Sequence, residues 1–374
     1  MAPLAMYLSA NGYAVEAFDD FFREPLRAQL EKAGVRIINE PYPLEKPDYV
    51  VRSSAVQASD SRLLSFETQG IKVWQRGEFL AHICKSKKVV AVVGSHGKTT
   101  TTGMLTWALD QIGFDFSYIV GGRFRNDVLA AGKASSKSPW MILELDESDG
   151  TIDFHSPYLT TILNCDWDHV DRYKSPEELS QVFIELFKRT ESYLLVPRGS
   201  PLEKTAQEEF ADKTQSFGSA LDSIDFMKSN EAAVVATAHA MGVDISSVDF
   251  SQFPGMERRQ SVLFEDSDLT VVEDYAHHPA EIRAFVGERR RKLPEHWLRM
   301  VFQPHRYSRT KALSHWFAEE MSQVDDLQFL PTYGAFEEYD SAGGVESLLG
   351  NLPPRLRKDS AVQEDFIEFY KAFE

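Results

Sequence analysis

The chain has 374 residues, 43% hydrophobic and 26% charged, the make-up of a soluble globular protein of two or three domains at about 150 residues each. A formal net charge of −17 argues against nucleic acid or an anionic membrane surface as a general partner, so any anion must be held by a local site. No apolar run reaches the length of a membrane span and no basic stretch precedes an apolar N-terminal core, so neither membrane insertion nor a signal peptide is expected and a cytoplasmic location is.

In chain order, the first clear strand is expected at Tyr49–Val51, ending in Arg52-Ser53-Ser54. Cys84 reads, like Cys165 later, as a small apolar residue in a reducing compartment, because two cysteines give no disulfide framework or metal spacing. The polar stretch Lys85-Ser86-Lys87-Lys88 is expected to join a first unit to a second. Val89–Val93 then reads as a buried strand, followed by Gly94-Ser95-His96-Gly97-Lys98-Thr99-Thr100 and an apolar helical pattern. Only Ser95 and His96 separate the two glycines, fewer than the four residues of the common P-loop. The chemistry still fits a phosphate. Glycines let backbone N–H groups approach, the helix adds its positive end, Lys98 reaches outer phosphates and the Thr99 hydroxyl can meet Mg²⁺.

Ala134–Pro139 reads as an ordinary loop. Met141–Leu145 is a strand that runs into Asp146-Glu147-Ser148-Asp149-Gly150. With Glu144, this is either a solvated acidic loop or a set of oxygen ligands for Mg²⁺. Leu159–Leu163 is a strand followed by Asn164 to Tyr173, where Asp166, Asp168, His169 and Asp171 cluster; His169 is a candidate ligand for a second metal. Tyr193–Val196 is a further strand, and Ser246–Gly255 is expected to join a second unit to a third. Leu269–Val272 leads into Glu273-Asp274, paired histidines and Pro279 at a helix start. Met300–Phe302 leads into a basic knot of His305, Arg306 and Arg309, suited to carboxylate or phosphate. Strands alternating with helical patterns, each strand ending in polar residues, indicate α/β domains with ligands at the carboxyl ends of parallel strands.

Taken together, "GSHGKTTTT", "DESDG", "DHVDRY", "FPGMERR", "DYAHHPAEI" and "FQPHRYSRT" resemble, in this order, the motifs of the Mur ligases, ATP-dependent amino-acid ligases of peptidoglycan synthesis. The resemblance spans nearly the whole chain. It implies three α/β domains, two Rossmann-like ones flanking a central P-loop ATPase-type domain, here at residues 1–88, 89–250 and 251–374. It also accounts for the short loop, which has this form in the family. It implies that Gly94, Ser95, His96, Gly97, Lys98, Thr99 and Thr100 bind ATP, that Thr99 and Glu147 hold one Mg²⁺ and that His169 holds a second. Asn230 of "SNEAAVVATA" would approach the adenine, and Arg259 and Asp274 would complete the nucleotide site. His305, Arg306 and Arg309 would hold the amino acid or the muramyl carboxylate. The implied substrates are L-alanine and UDP-N-acetylmuramate, acting on a monomer or homodimer.

Three differences from the family go with this. The chain matches it from the first helix onward, so the strand and glycine-rich loop facing the uridine diphosphate are expected to be absent. The stretch between Phe217 and the helix near Asn230 is short, and so is the C-terminal end at "DFIEFYKAFE". They keep a second reading open, a non-catalytic Mur-ligase homologue that binds nucleotide or a cell-wall precursor.

Overall fold

The computed structural model describes residues 1–22, 24–40, 45–218, 226–335 and 337–357. The expected shortening before the helix near Asn230 falls partly on residues 219–225, and the expected short C-terminal end on 365–374; both stretches lie outside the described residues. Two compact units emerge. One comprises Met1–Cys165, Ser180–Ala220 and Met227–Glu257, and the other Asp166–Leu179, Leu221–Phe226 and Arg258–Glu374.

The first unit begins with α1 (Ala2–Ala10), β1 (Glu16–Ala17), α2 (Glu24–Lys32) and β2 (Arg36–Ile37). β3 (Val50–Arg52), α3 (Ser61–Thr68), β4 (Val73–Gln75) and α4 (Arg76–Ile83) follow. β1 pairs with β2 and β3 with β4, both parallel. α1 carries Pro3 in its first turn, where a missing N–H costs nothing, and buries Leu4, Met6, Tyr7 and Leu8. Met6 packs with Leu30, Val35 and Ala131, so the N-terminal segment shares its core with the central sheet.

That sheet is built from β5 (Lys88–Val93), β6 (Ser117–Ile119), β7 (Gly132–Lys133), β8 (Trp140–Glu144), β9 (Leu159–Ile162), β10 (Tyr193–Pro197) and β11 (Thr214–Phe217). Their order is β11-β10-β9-β5-β8-β6-β7, and only the β6–β7 pair is antiparallel. β5 lies between β8 and β9, and Val89–Val93 are buried on both faces, as an unbroken apolar run predicts for a central parallel strand. α5 (Lys98–Gln111), α6 (Pro176–Arg189), α7 (Glu203–Glu209) and α8 (Phe226–Ala240) complete these layers. α5 and α8 bury Met104, Leu105, Ala233 and Val234 in one cluster with Val90 and Ile142. β5 and β9 therefore end side by side, with α5 starting just beyond β5.

The second unit contains the antiparallel pair β12 (Ser261–Glu265) and β13 (Thr270–Glu273), then α9 (Pro279–Lys292), β14 (Arg299–Phe302), α10 (Tyr307–Met321), β15 (Asp326–Phe329), α11 (Val345–Asn351) and α12 (Pro354–Arg357). β14 and β15 pair in parallel. Their Phe302, Leu327 and Phe329 pack with Ile282 and Val286 of α9 and Leu313, Phe317 and Met321 of α10. α9 starts where the sequence indicated, with His278 as N-cap and Pro279 in the first turn. All seven strands expected from the sequence are present. Among the described residues, no helix is long and apolar enough to cross a membrane.

Candidate active site

In the first unit the loop between β5 and α5 is held in a single shape by residues far away in the sequence. Gly97 has φ +81° and caps α5; a Cβ there would sit 3.1 Å from Asn230 Oδ1, so the site takes glycine on both counts. Gly94 has φ +135° and lies against the backbone of Asn164. Asn164, one residue past the last expected strand position, clamps the loop: the His96 N–H donates to its Oδ1 at 2.8 Å, and its Nδ2 donates to the His96 carbonyl at 3.0 Å. Asn230 on α8 is buried behind Gly97.

Lys98 opens α5 and turns back over the loop. Its Nζ donates to the Gly94 carbonyl at 2.6 Å and to Glu147 Oε2 at 2.8 Å, with Asp146 Oδ1 at 3.8 Å. Lys98 is 9% exposed and Glu147 0%. Burial works against the lysine's charge, yet Glu147, Asp146 and Glu144 outweigh it and hold the ammonium above the usual lysine range. Burial likewise pushes the Glu147 carboxyl up, to about 7, against the pull of Lys98. The Thr99 hydroxyl donates to Glu144 Oε1 at 2.9 Å, and Glu144 also accepts from the Gly121 N–H. Glycine-rich backbone, a helix N-terminus and an ammonium suit a polyphosphate. A hydroxyl among the carboxylates of Glu144, Asp146 and Glu147 suits a hard divalent cation with oxygen ligands. The acidic stretch is thus no solvated loop at Glu147.

The second unit holds the other expected residues. His169 has φ +52°, and its N–H donates to the Asp168 carboxylate at 2.6 Å. Asp168 takes Arg309 in a two-point contact, Nε at 2.7 Å and Nη2 at 3.2 Å, with Arg309 3% and Asp168 1% exposed. Burial opposes ionisation of Asp168, but Arg309, with His169 and His278, holds its carboxyl well below the usual range. Arg309 Nη1 faces His305 Nδ1 at 3.4 Å and the His305 carbonyl at 3.3 Å. Arg306, at φ +71°, reaches Asp171 at 2.7 Å. Of the three basic-knot residues expected to receive a substrate carboxylate, two arginines therefore already hold aspartates. Arg259 pairs with Glu281 at 3.5 Å and lies over the Tyr275 ring. Asp274 accepts from the N–H groups of Gln260 and Ala276, and burial raises its carboxyl.

Asn164, Asp168, Glu281 and His277 were not singled out as site residues by sequence reasoning, whereas Glu144 was, as one of a possible set of oxygen ligands. The signal for Asn164, Asp168 and His277 was positional, since they stand in the segments just after β9 and β13, whereas Glu281 lies in the first turn of α9. Asn164→Ala is expected to weaken ATP affinity about tenfold and to lower the melting temperature modestly, since it loses two neutral hydrogen bonds at about 1 kcal/mol each. Titration calorimetry checks this, and an unchanged dissociation constant would mean the clamp does not shape the loop.

Comparison with known proteins adds three findings. The family model of the Mur ligase middle domain matches residues 92–256. The UDP-N-acetylmuramate–L-alanine ligase of Geobacter sp. (strain M21) is 31% identical, over 96% of this chain and 86% of its own length. That of Syntrophomonas wolfei is 30% identical, over 90% and 81%. Among solved structures, the UDP-N-acetylmuramate-alanine ligase of Thermotoga maritima superposes with a TM-score of 0.76 at 21% identity, covering 100% of this chain and 90% of that one. A murein peptide ligase of Psychrobacter arcticus gives 0.72 at 20% identity, which bears on the fold alone.

Proposed function

Because the chain belongs to the Mur ligase family, we infer that it is an ATP-dependent ligase joining L-alanine to the carboxylate of UDP-N-acetylmuramate in peptidoglycan synthesis. One structural observation supports this above others: a short glycine loop at a helix N-terminus whose lysine lies buried against Gly94 and Glu147.

A carboxylate is a poor acyl donor. Transfer of the ATP γ-phosphoryl group makes it an acyl phosphate with a good leaving group, and the amine then displaces phosphate. No protein nucleophile is needed, so the protein's part is positioning and charge neutralisation. Gly94 to Thr100 cradle the phosphates, Lys98 neutralises their outer oxygens, and Asn230, Arg259 and Asp274 serve the nucleotide. Thr99 and Glu147 would hold one Mg²⁺ and His169 a second, and the metal would supply charge neutralisation. His305, Arg306 and Arg309 form the basic region toward the amino acid or the muramyl carboxylate. The three-domain division at residues 1–88, 89–250 and 251–374, a cytoplasmic location and a monomer or homodimer go with this reading.

The test is ADP release with L-alanine, UDP-N-acetylmuramate, ATP and Mg²⁺. Release is expected to require all four, with a product heavier than the donor by one alanine less one water. Background release by a protein that still binds ATP would replace this reading with the non-catalytic homologue.

A further inference from the structure

We propose that His277 is the base that takes a proton from the ammonium group of the incoming amino acid, a proposal that rests on the ligase reading above. An α-amino acid arrives with its nitrogen protonated, and an ammonium has no lone pair with which to attack. Some group must remove that proton in the site.

The second unit brings three imidazoles into one neighbourhood, and their hydrogen bonds assign each a different role. His278 is locked at both ends. Its Nδ1 accepts from the Ala280 N–H at 3.2 Å, so Nε2 carries the proton, which it donates to the Trp167 carbonyl at 3.1 Å. His305 presents Nδ1 to Arg309 Nη1, which can only donate, so its neutral ring carries the proton on Nε2 and offers no lone pair there. Burial, then His277, Arg309 and Arg306, lower the His305 pKa to about 4 and keep that ring neutral.

His277 is the reverse case. Its Nδ1 lies 2.8 Å from the Tyr275 carbonyl and 3.5 Å from Glu281 Oε2, both acceptors. Nδ1 therefore carries the proton and Nε2 the lone pair. Nε2 has no hydrogen-bond partner among the described residues. The ring is held by its contacts with Tyr275 at 5.3 Å and His305 at 5.8 Å, and the His277 N–H is fixed by Glu281 Oε2 at 2.9 Å. The groups facing it are Glu281 of α9, Arg309 of α10, His305 ahead of α10, and Asp168. Burial, with Arg309, outweighs Glu281 and Asp168 and lowers its pKa, which favours the neutral ring. His296 and His315 are exposed.

The step balances as follows. His277 Nε2 takes one proton from the ammonium and leaves a neutral amine. The amine lone pair forms the C–N bond, and the bond from carbonyl carbon to phosphate oxygen breaks with its electron pair leaving on phosphate. The second amine proton departs with that phosphate, and the imidazolium returns its proton to water.

Hydroxylamine separates this role from others, because it is already neutral at pH 7 and needs no base to attack an acyl phosphate. The experiment compares wild type and His277→Gln at saturating ATP, Mg²⁺ and UDP-N-acetylmuramate, with L-alanine or hydroxylamine as acceptor, from about pH 6 to 9. His277→Gln is expected to lower kcat/KM for alanine about 100-fold at pH 7, with partial recovery as pH rises, and to lower hydroxamate formation no more than about threefold. Alanine turnover within about threefold of wild type, or an equal loss with both acceptors, overturns the proposal. Should the variant not fold, the wild-type profiles decide: an acid limb with alanine that is absent with hydroxylamine supports the base, and the same limb with both overturns it. If wild type makes neither amide nor hydroxamate, the ligase reading falls first and this proposal with it.

Discussion

Lys98→Ala is expected to abolish tight ATP binding and to lower kcat/KM by about 10²–10³ or more, the range for losing a preorganised charge at a reacting group. The lysine is the sole buried cation in contact with both the loop carbonyl of Gly94 and Glu147 among the described residues. The substitution also strands Glu147, which is fully buried, and breaking a buried pair at one end costs about 3–5 kcal/mol unless the survivor neutralises. Glu147 already sits high, at about 7, through burial, and loses the one cation that lowers it. Its folded pKa then lies further above its unfolded value. For a raised pKa, the contribution to stability is present at low pH and is lost as pH rises through the folded value. Lys98→Ala should thus melt closer to wild type at about pH 6 than at about pH 8. Adding Glu147→Gln should restore the melting temperature without restoring ATP binding. Calorimetry and thermal melts check both arms, and unchanged ATP affinity in the single variant would remove the loop from the site.

Asp168→Ala should give the largest loss of stability in the second unit, about 3–5 kcal/mol, because it leaves the Arg309 guanidinium buried and uncompensated. The pair joins residues 141 positions apart, so the loss also unties the segment after β9 from α10. Replacing both partners, Asp168→Leu with Arg309→Met, should recover most of it, since a buried pair can be exchanged for apolar packing. Acid gives a second readout. The Asp168 carboxyl is held well below its usual value, by Arg309 against burial. A depressed pKa stabilises above the unfolded value, about 3.9, and that stability is lost as pH falls toward the folded value. Wild type should lose this increment below about pH 4, and Asp168→Ala should not. Equal melting temperatures for wild type and the single variant, measured at about pH 7, would show that the pair contributes nothing.

The two predictions differ in how much of them could be read from the sequence. Lys98 was legible, because loop, helix start and lysine are local and their order alone points to phosphate. Asp168 was noticed only as one acid in a cluster, and its partner lay in another motif.

The same division holds for the fold. Val89–Val93 and Met141–Leu143 are continuous apolar runs that bury both faces, so their strand state follows from composition and length, and Leu159–Ile162, with two β-branched threonines between its apolar ends, is buried as fully. β1, β2, β6 and β7 have two or three residues each, too few to show any periodicity, and they exist because a neighbouring strand supplies their hydrogen bonds. β15, with Asp326 and Gln328, is likewise paired into being by β14. The six motifs in order were enough to identify the family, since motif spacing is a property of the chain. Only the tertiary structure decided that Asn164 clamps His96, that Arg309 is committed to Asp168, and that of three neighbouring histidines His277 keeps an open lone pair. The physical reason is that protonation, tautomer and charge depend on which donors and acceptors come within about 3 Å, and those contacts join residues that the chain holds far apart.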